Sequence, residues 1–379
     1  MTDFCKGRPQ DKAEIIDFIN YVFSQAHNPH DFKTLIPKSF ADHVDGMAAE
    51  HYLARQEGRI RASVSNRVIR QDCCGQPLTL GLIGNVSVHP YSRGEGLMRH
   101  LMHWAIEESR EMGVDIMALG GQRQRYGYYG FTNGGLCAQF TVSPANIRHA
   151  LADTDTAGIT FEELTAADTT RLDYAWALYH RRPVHAVRPR ADFLDIAHTW
   201  CLPCRAVLRD GEMIGYVIGT MAETELENEA DYPAVLKAFF EQFRPGTFHT
   251  AATPTQPERR AFLASICENS AVETLELIKV LRWQPTLQAL LTVRSSVLPL
   301  QDGALALCID GQEMTARVRQ GIPVVTDGLP DPAEQLPLLT LTQDEAQEKF
   351  FGNMGLLTPP QGLYNWAPLP FWLDLADAY

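Results

Sequence analysis

One segment constrains the fold of this chain more than any other: Val86-Ser87-Val88-His89-Pro90-Tyr91-Ser92-Arg93-Gly94-Glu95-Gly96-Leu97-Met98. The run 78–88 (LTLGLIGNVSV) is apolar and rich in β-branched residues, so it reads as a buried strand that ends at His89-Pro90. A glycine-bearing turn follows and opens a helix over about Gly94–Met112, closed by Gly113. VDIMALG (114–120) is the next strand, a short helix follows over 123–129, and AQFTV (138–142) is a further strand. Strand, glycine turn, helix, strand is a βαβ unit. The free N–H groups at such a helix mouth, together with the helix dipole, suit a pyrophosphate. Gly94 and Gly96 let phosphate oxygens approach the backbone without a Cβ clash, and Arg93 adds a cation. An ordinary βα loop that uses glycine only for geometry is the alternative reading. The turn is not a Walker A loop, since no Gly-Lys-Ser/Thr follows, and it lacks the G-x-G-x-x-G and acidic residue of a dinucleotide fingerprint.

Around this unit the chain divides into blocks. An amphipathic helix is expected over 10–27, and a strand–turn–strand over His51–Asn66 with Glu57-Gly58 at the turn. Residues after Pro144 read as a connection. A second α/β block spans about 160–285, with a helix near 166–180 and a hairpin turning at Asp210-Gly211. Beyond these lie a strand near 247–252, a helix at 257–268 and a strand at 287–293. A third block begins near 296, with a second Asp-Gly hairpin at Asp310-Gly311, then LLTLT, a helix DEAQEKFFG and the Pro- and aromatic-rich stretch PPQGLYNWAPLPFWLDLADAY.

Composition narrows the function. The 379 residues carry 33 Lys+Arg against 46 Asp+Glu, a net charge of −13, which disfavours a nucleic-acid partner and favours cationic ligands such as amines. No apolar run is long enough for a membrane span, and the first residues lack the apolar core of a secretory signal. Eight dispersed cysteines fit reduced thiols, so a cytoplasmic location is expected. Cys201-x-x-Cys204 and the adjacent Cys73-Cys74 do not make a four-ligand zinc set, so no metal is expected. His100 and His103 read as surface or packing residues. The cluster His180–Arg190 reads as a solvated basic loop, and Glu223, Glu225, Glu227, Glu229 and Asp231 as a solvated acidic edge.

The pattern V-x-V-x-P-x-x-R-G-x-G followed by a helix resembles the acetyl-coenzyme A loop of the GNAT acyltransferases. Their Arg/Gln-x-x-Gly-x-Gly/Ala motif appears as Arg93-x-x-Gly96-x-Met98, with Met98 in place of the last small residue. The resemblance covers about residues 45–135. It implies acetyl-coenzyme A as cosubstrate: Val86, Ser87 and Val88 lie along the pantetheine, and Arg93, Gly94, Glu95, Gly96, Leu97, Met98 and Arg99 surround the pyrophosphate. Tyr126-Gly127-x-x-Gly130-Phe131 is similar to the long "enhanced intracellular survival" acetyltransferases. That resemblance implies a mixed α/β (α+β) chain of two tandem GNAT-like folds followed by a sterol-carrier-protein-like domain. The corresponding divisions are residues 1–150 for coenzyme and chemistry, 151–285 without a phosphate loop, and 286–379 with a tail that reaches the active site.

In this reading Tyr126 is the general acid, since a phenol stays protonated at neutral pH and can donate to a leaving thiolate. Tyr128, Tyr129 and Phe131 are expected to pack under the sheet. The strand Leu82–Val88 carries no carboxylate, so the base must come from elsewhere or from water. The long family uses its terminal carboxylate, which here implies the α-carboxylate of Tyr379, with Trp366, Phe371 and Trp372 anchoring the chain end. The expected activity is direct N-acetylation of a primary amine on a small molecule or peptide, with homo-oligomerisation implied by the ring-like multimers of that family. The alternative is a non-catalytic coenzyme A- or lipid-binding scaffold on the same fold.

Overall fold

The computed structural model describes residues 1–25, 28–358 and 360–379, with Met354 described by its backbone only. The last two residues of the expected helix 10–27, and Pro359 of the tail, lie outside the described residues. In chain order the first part contains β1 (Thr2–Lys6), α1 (Lys12–Ser24), α2 (Phe32–Leu35), α3 (Pro37–Phe40), β2 (His51–Gln56), β3 (Arg59–Cys73), β4 (Gln76–Val88) and α4 (Leu97–Glu111). It continues through β5 (Ile116–Leu119), α5 (Arg123–Tyr126), β6 (Thr132–Gly134), β7 (Cys137–Val142) and α6 (Pro144–Ala150). Next come β8 (Ile159–Glu163), α7 (Thr169–Tyr179), β9 (Val184–Ala186), α8 (Phe193–Ala197), β10 (Cys204–Arg209), β11 (Glu212–Ile218) and β12 (Glu223–Leu226). They are followed by α9 (Tyr232–Phe243), β13 (Phe248–Ala252), α10 (Pro257–Ile266), β14 (Asn269–Glu273), β15 (Glu276–Val280) and α11 (Trp283–Val297). The last part holds β16 (Gly303–Ile309), β17 (Gln312–Arg319), β18 (Ile322–Asp327), β19 (Leu338–Leu341) and α12 (Gln343–Phe351). The mixed α/β class follows directly.

The main sheet runs β1-β2-β3-β4-β5-β15-β6, with β9 added to β3. Its strands are mostly antiparallel; β4 and β5 are parallel because α4 crosses between them. The hairpins turn where the backbone needs positive φ at two successive residues. Glu57-Gly58, Asp210-Gly211 and Asp310-Gly311 do so, and so do Cys74-Gly75 and Gln320-Gly321, which the sequence reading did not single out. The first two blocks exchange strands. β7 leaves the main sheet to lie between β13 and β14, and β15 returns to pair with β5 and β6.

Two expectations are corrected. Residues 287–293 are not a strand but the middle of α11, where Leu287, Ala289, Leu290, Leu291 and Val293 are buried. The polar residues of the run, Gln288 and Thr292, are four apart and half-buried along one side of the helix, a period that the sequence reading passed over among the apolar residues. Residues 144–150 form a helix rather than a connection. Ser143 caps it, accepting from the Asn146 N–H at 3.2 Å, while Pro144 occupies the first helical position.

Apolar side chains alternate across the main sheet. Ile83, Met117, Leu119 and Leu277 face α4, packing with Leu97, Leu101 and Ala105. Leu80, Leu82, Ile116, Ala118 and Ile278 face the other way, into a core shared with α11, the third block and the tail. The site described below lies where β4 and β5 part.

Candidate active site

β4 and β5 pair only over Leu80↔Ile116, Gly81↔Met117 and Leu82↔Ala118. Beyond Leu82 β4 carries on to Val88 with no strand partner on that side among the described residues. On its other side, Ser65 pairs with Gly84 and Ser63 with Ser87, so Asn85 and Val86 oppose a single residue of β3. This is a β-bulge with Asn85 at φ +48°. A bulge bends and twists its strand, and here it carries the end of β4 away from β5. The backbone of Val86–Val88 thereby faces the gap.

The glycine turn leads out of this strand end. Gly94 and Gly96 sit at φ +87° and +78°, and Gly96 is the N-cap residue of α4. No atom outside the turn comes within 4 Å of where a Gly94 Cβ would stand. The N–H groups of the first helical turn have no carbonyl one turn earlier to bond to, so they are free to donate at the mouth. Arg93, Glu95 and Arg99 are exposed around it. Glu95 accepts from Gln56 Nε2 at 2.7 Å. Leu97 is buried in the core and Met98 half-buried against it, so these two offer the mouth backbone N–H groups rather than side chains. The bulky Met98 therefore does not obstruct it. Beside the mouth lies a groove of about 450 Å³ whose lining includes Phe4, Gly96, Arg99, His100 and Trp104. His100 stacks on Phe4 and His103 meets Tyr129 edge-on, the packing roles expected of them.

Tyr126 ends α5, just beyond β5. Its side chain is buried among the residues under α4, and burial pushes the phenol above its ordinary range. Gly121, at φ +150°, makes room for it: a Cβ there would stand 2.6 Å from Tyr126 Cε2. Phe131 is buried and Tyr129 half-buried, as expected. Tyr128 is not packed under the sheet but 89% exposed, because the turn Gly127–Tyr129 points it outward.

The tail is seated along the opposite face of the sheet. Trp366, Phe371 and Trp372 are buried. Arg294 donates to the carbonyls of Asn365, Ala367 and Pro368, and Gln71 Nε2 to that of Trp372 at 2.7 Å. The ring of Tyr379 lies directly over Gly84, in the space a side chain there would fill. Its hydroxyl donates to Glu50 at 3.4 Å. Lys38, almost fully buried, donates to the carbonyls of Ala376 and Ala378, and burial pushes its ammonium down to about 7.

With this geometry in place, comparison with known proteins assigns the first part of the chain. The model of the GNAT acetyltransferase domain matches residues 5–134. Residues 5–134 are a GNAT acetyltransferase domain. No curated protein matches the chain. Among solved structures it resembles a GCN5-related N-acetyltransferase from Anabaena variabilis (13% identity, TM-score 0.66, all of both chains covered). It also resembles one from Kribbella flavida (15%, TM-score 0.65, 92% of this chain and 88% of that one). A third is Eis1 from Mycobacterium abscessus (13%, TM-score 0.61, 93% and 90%). At these identities the likeness establishes a shared fold along nearly the whole chain.

The second block is joined to the tail by a buried ionic network that corrects two sequence readings. Arg182 and Arg188 are not in a solvated loop, and Glu223 and Glu225 are not on a solvated edge; all four are buried. Arg188 pairs with both Glu223 and Asp377, each through two hydrogen bonds of 2.7–3.0 Å. Arg182 grips Asp374 at 3.0 and 3.1 Å and lies near Glu225. Tyr179 donates toward both aspartates. Asp374 and Asp377 were missed by the sequence reading; the signal was two acids spaced by three in an otherwise apolar tail. Among the described residues, no group of three or more His, Cys, Asp or Glu side chains could hold a metal ion, and no helix is long and apolar enough to cross a membrane.

Proposed function

We propose that the protein is an acetyl-coenzyme A-dependent N-acetyltransferase that transfers the acetyl group directly to a primary amine of a small molecule or peptide. In this reading the pyrophosphate sits on the backbone of Gly94–Arg99 with Arg93 and Arg99 beside it. The pantetheine adds to the open backbone of Val86–Val88 as an extra strand would, with Ser87 between them. The observation that carries the reading is the gap between β4 and β5 opening onto an unblocked helix mouth.

The chemistry balances without a covalent enzyme intermediate. The amine nitrogen attacks the thioester carbonyl, the C–N bond forms and the C–S bond breaks. Tyr126 gives its proton to the departing sulfur, which its raised phenol pKa permits at neutral pH. The α-carboxylate of Tyr379, at the end of the tail seated on Gly84, receives the proton from nitrogen. Holding amine and thioester together in one cleft supplies most of the remaining acceleration. The middle part (151–285) lines the acceptor side, and the last part (286–379), read as sterol-carrier-like, delivers the tail.

Mixing the protein with acetyl-coenzyme A and a panel of polyamines, aminoglycosides and peptides, while following free thiol, tests the reading. Amine-dependent thiol release is expected. Coenzyme binding without turnover on any amine would make the protein a coenzyme-binding scaffold instead.

A further inference from the structure

The register of the parallel pair extends past the point where it opens. Leu80 lies opposite Ile116 and Leu82 opposite Ala118, so Gly84 and Gly120 would be the next pair on the same face. Both are glycines, and neither position is empty. The Gly84 place is taken by the ring of Tyr379. The Gly120 place is approached by Glu276, whose Oε2 lies 3.7 Å from where a Gly120 Cβ would stand. Glu276 belongs to β15, the strand returned from the second block, where it pairs with Gly134 beside the Leu277↔Leu119 pair. The tail forms the rim on that side: the Phe371 carbonyl lies 2.8 Å from where a Gly135 Cβ would stand. The cleft is therefore flanked on one face by the chain end and by a carboxylate.

That carboxylate has no mate. Among the described residues, no arginine, lysine or hydrogen-bond donor reaches Glu276. Burial alone, with no charge opposing it, pushes its carboxyl up to about 7. Elsewhere in this chain buried acids are paired: Glu223, Asp374 and Asp377 each meet an arginine. Glu276 is half-buried and unpaired beside the parted strands, and a perturbed carboxylate without a partner in a cleft is a candidate ligand contact.

We propose that Glu276 is the amine-binding residue of this cleft, drawing in an aliphatic acceptor as its ammonium and holding it beside the thioester, where the reacting nitrogen attacks once its proton has passed to the Tyr379 carboxylate. The inference deepens the proposed function and rests on it for the reason an amine enters. It selects cationic aliphatic amines, such as polyamines and lysine-like groups, over weakly basic arylamines, because only the former bring a charge to the carboxylate. The negative net charge of the chain steers the same class toward it.

The test is calorimetric titration of spermidine into the full chain saturated with coenzyme A, for wild type and Glu276→Gln, with Glu276→Asp as the conservative rescue. Wild type should bind. Glu276→Gln should bind at least 10-fold more weakly with coenzyme affinity unchanged, and Glu276→Asp should recover part of the loss. Gly120→Val is the second variant. Its backbone does not need positive φ, so it keeps the fold while crowding the carboxylate, and it should weaken spermidine in the same way. No spermidine binding by wild type, equal affinity in Glu276→Gln or in Gly120→Val, or a parallel loss of coenzyme affinity in Glu276→Gln would overturn the proposal. Spermidine binding that depends on Glu276 without acetyl transfer to any amine would refute the proposed function and leave this site standing. Transfer with an indifferent Glu276 would do the reverse.

Discussion

The ring of Tyr379 lies on Gly84, so the last residue of the chain fills the one place on β4 where the strand has left its neighbour and carries no side chain of its own. A Cβ at residue 84 cannot coexist with that ring, which makes the contact testable from both sides. Gly84→Ala should displace the tail and lower turnover by at least 10-fold, while coenzyme affinity, set on the far side of the sheet at the α4 mouth, stays within twofold. Steady-state kinetics beside a coenzyme titration measures both, and unaltered turnover would remove the tail from the site.

Tyr126→Phe removes one hydroxyl from a buried, well-packed ring. Loss of a positioned acid costs on the order of 10²-fold in kcat. Coenzyme affinity should not change. An unchanged kcat assigns the proton to another donor or to water.

Arg188 is 2% exposed between Glu223 and Asp377. Arg188→Met leaves two buried carboxylates facing each other without a cation. Breaking a buried pair in this way costs about 3–5 kcal/mol. Urea unfolding should report that loss, and limited proteolysis should cut the tail sooner. A stability change below about 1 kcal/mol would mean that the pair contributes little to holding the tail.

Lys38 gives a pH signature. Burial holds its folded-state pKa near 7, below the ordinary 10.5. Below about 7 the ammonium is protonated in both states. Between about 7 and the ordinary lysine range the unfolded chain holds the proton and the folded chain does not, so the Lys38 contribution makes stability rise with pH there. The slope is at most ~1.4 kcal/mol per pH unit. Lys38→Met should flatten that rise in chemical unfolding measured across the window. An identical pH dependence in the variant would mean that the buried amine does not titrate there.

Several elements could be read along the chain because their signals are local. Gly94 and Gly96 at a strand-to-helix turn, the apolar stripe of α4 and the Glu57-Gly58, Asp210-Gly211 and Asp310-Gly311 turns each depend on residues a few positions apart. What could not be read depends on partners far away in sequence. Arg182 and Glu223 look like surface charges until Asp374 and Asp377 arrive, nearly two hundred residues from the arginines, to neutralise the cluster. Strand β15 looks like part of the second block, yet it enters the main sheet beside β5, which is what places Glu276 near Gly120. Residues 287–293 do carry a helical signal, Gln288 and Thr292 four apart, but the apolar residues around that one pair outweighed it in the sequence reading. Tyr128 was misplaced because an aromatic next to Tyr129 and Phe131 carries no sign of which way the turn directs it.

The central claim is that the coenzyme lies across the mouth of α4 and along the end of β4. The most direct measurement is a crystal structure with acetyl-coenzyme A bound. The account predicts the diphosphate on the N–H groups of the Gly94–Arg99 turn and the pantetheine paired with Val86 and Val88, its thioester in the gap between Gly84 and Gly120. A coenzyme lodged elsewhere, for instance in the cleft lined by Arg110, Lys279 and Asp344, or a gap between β4 and β5 that stays empty, would contradict it.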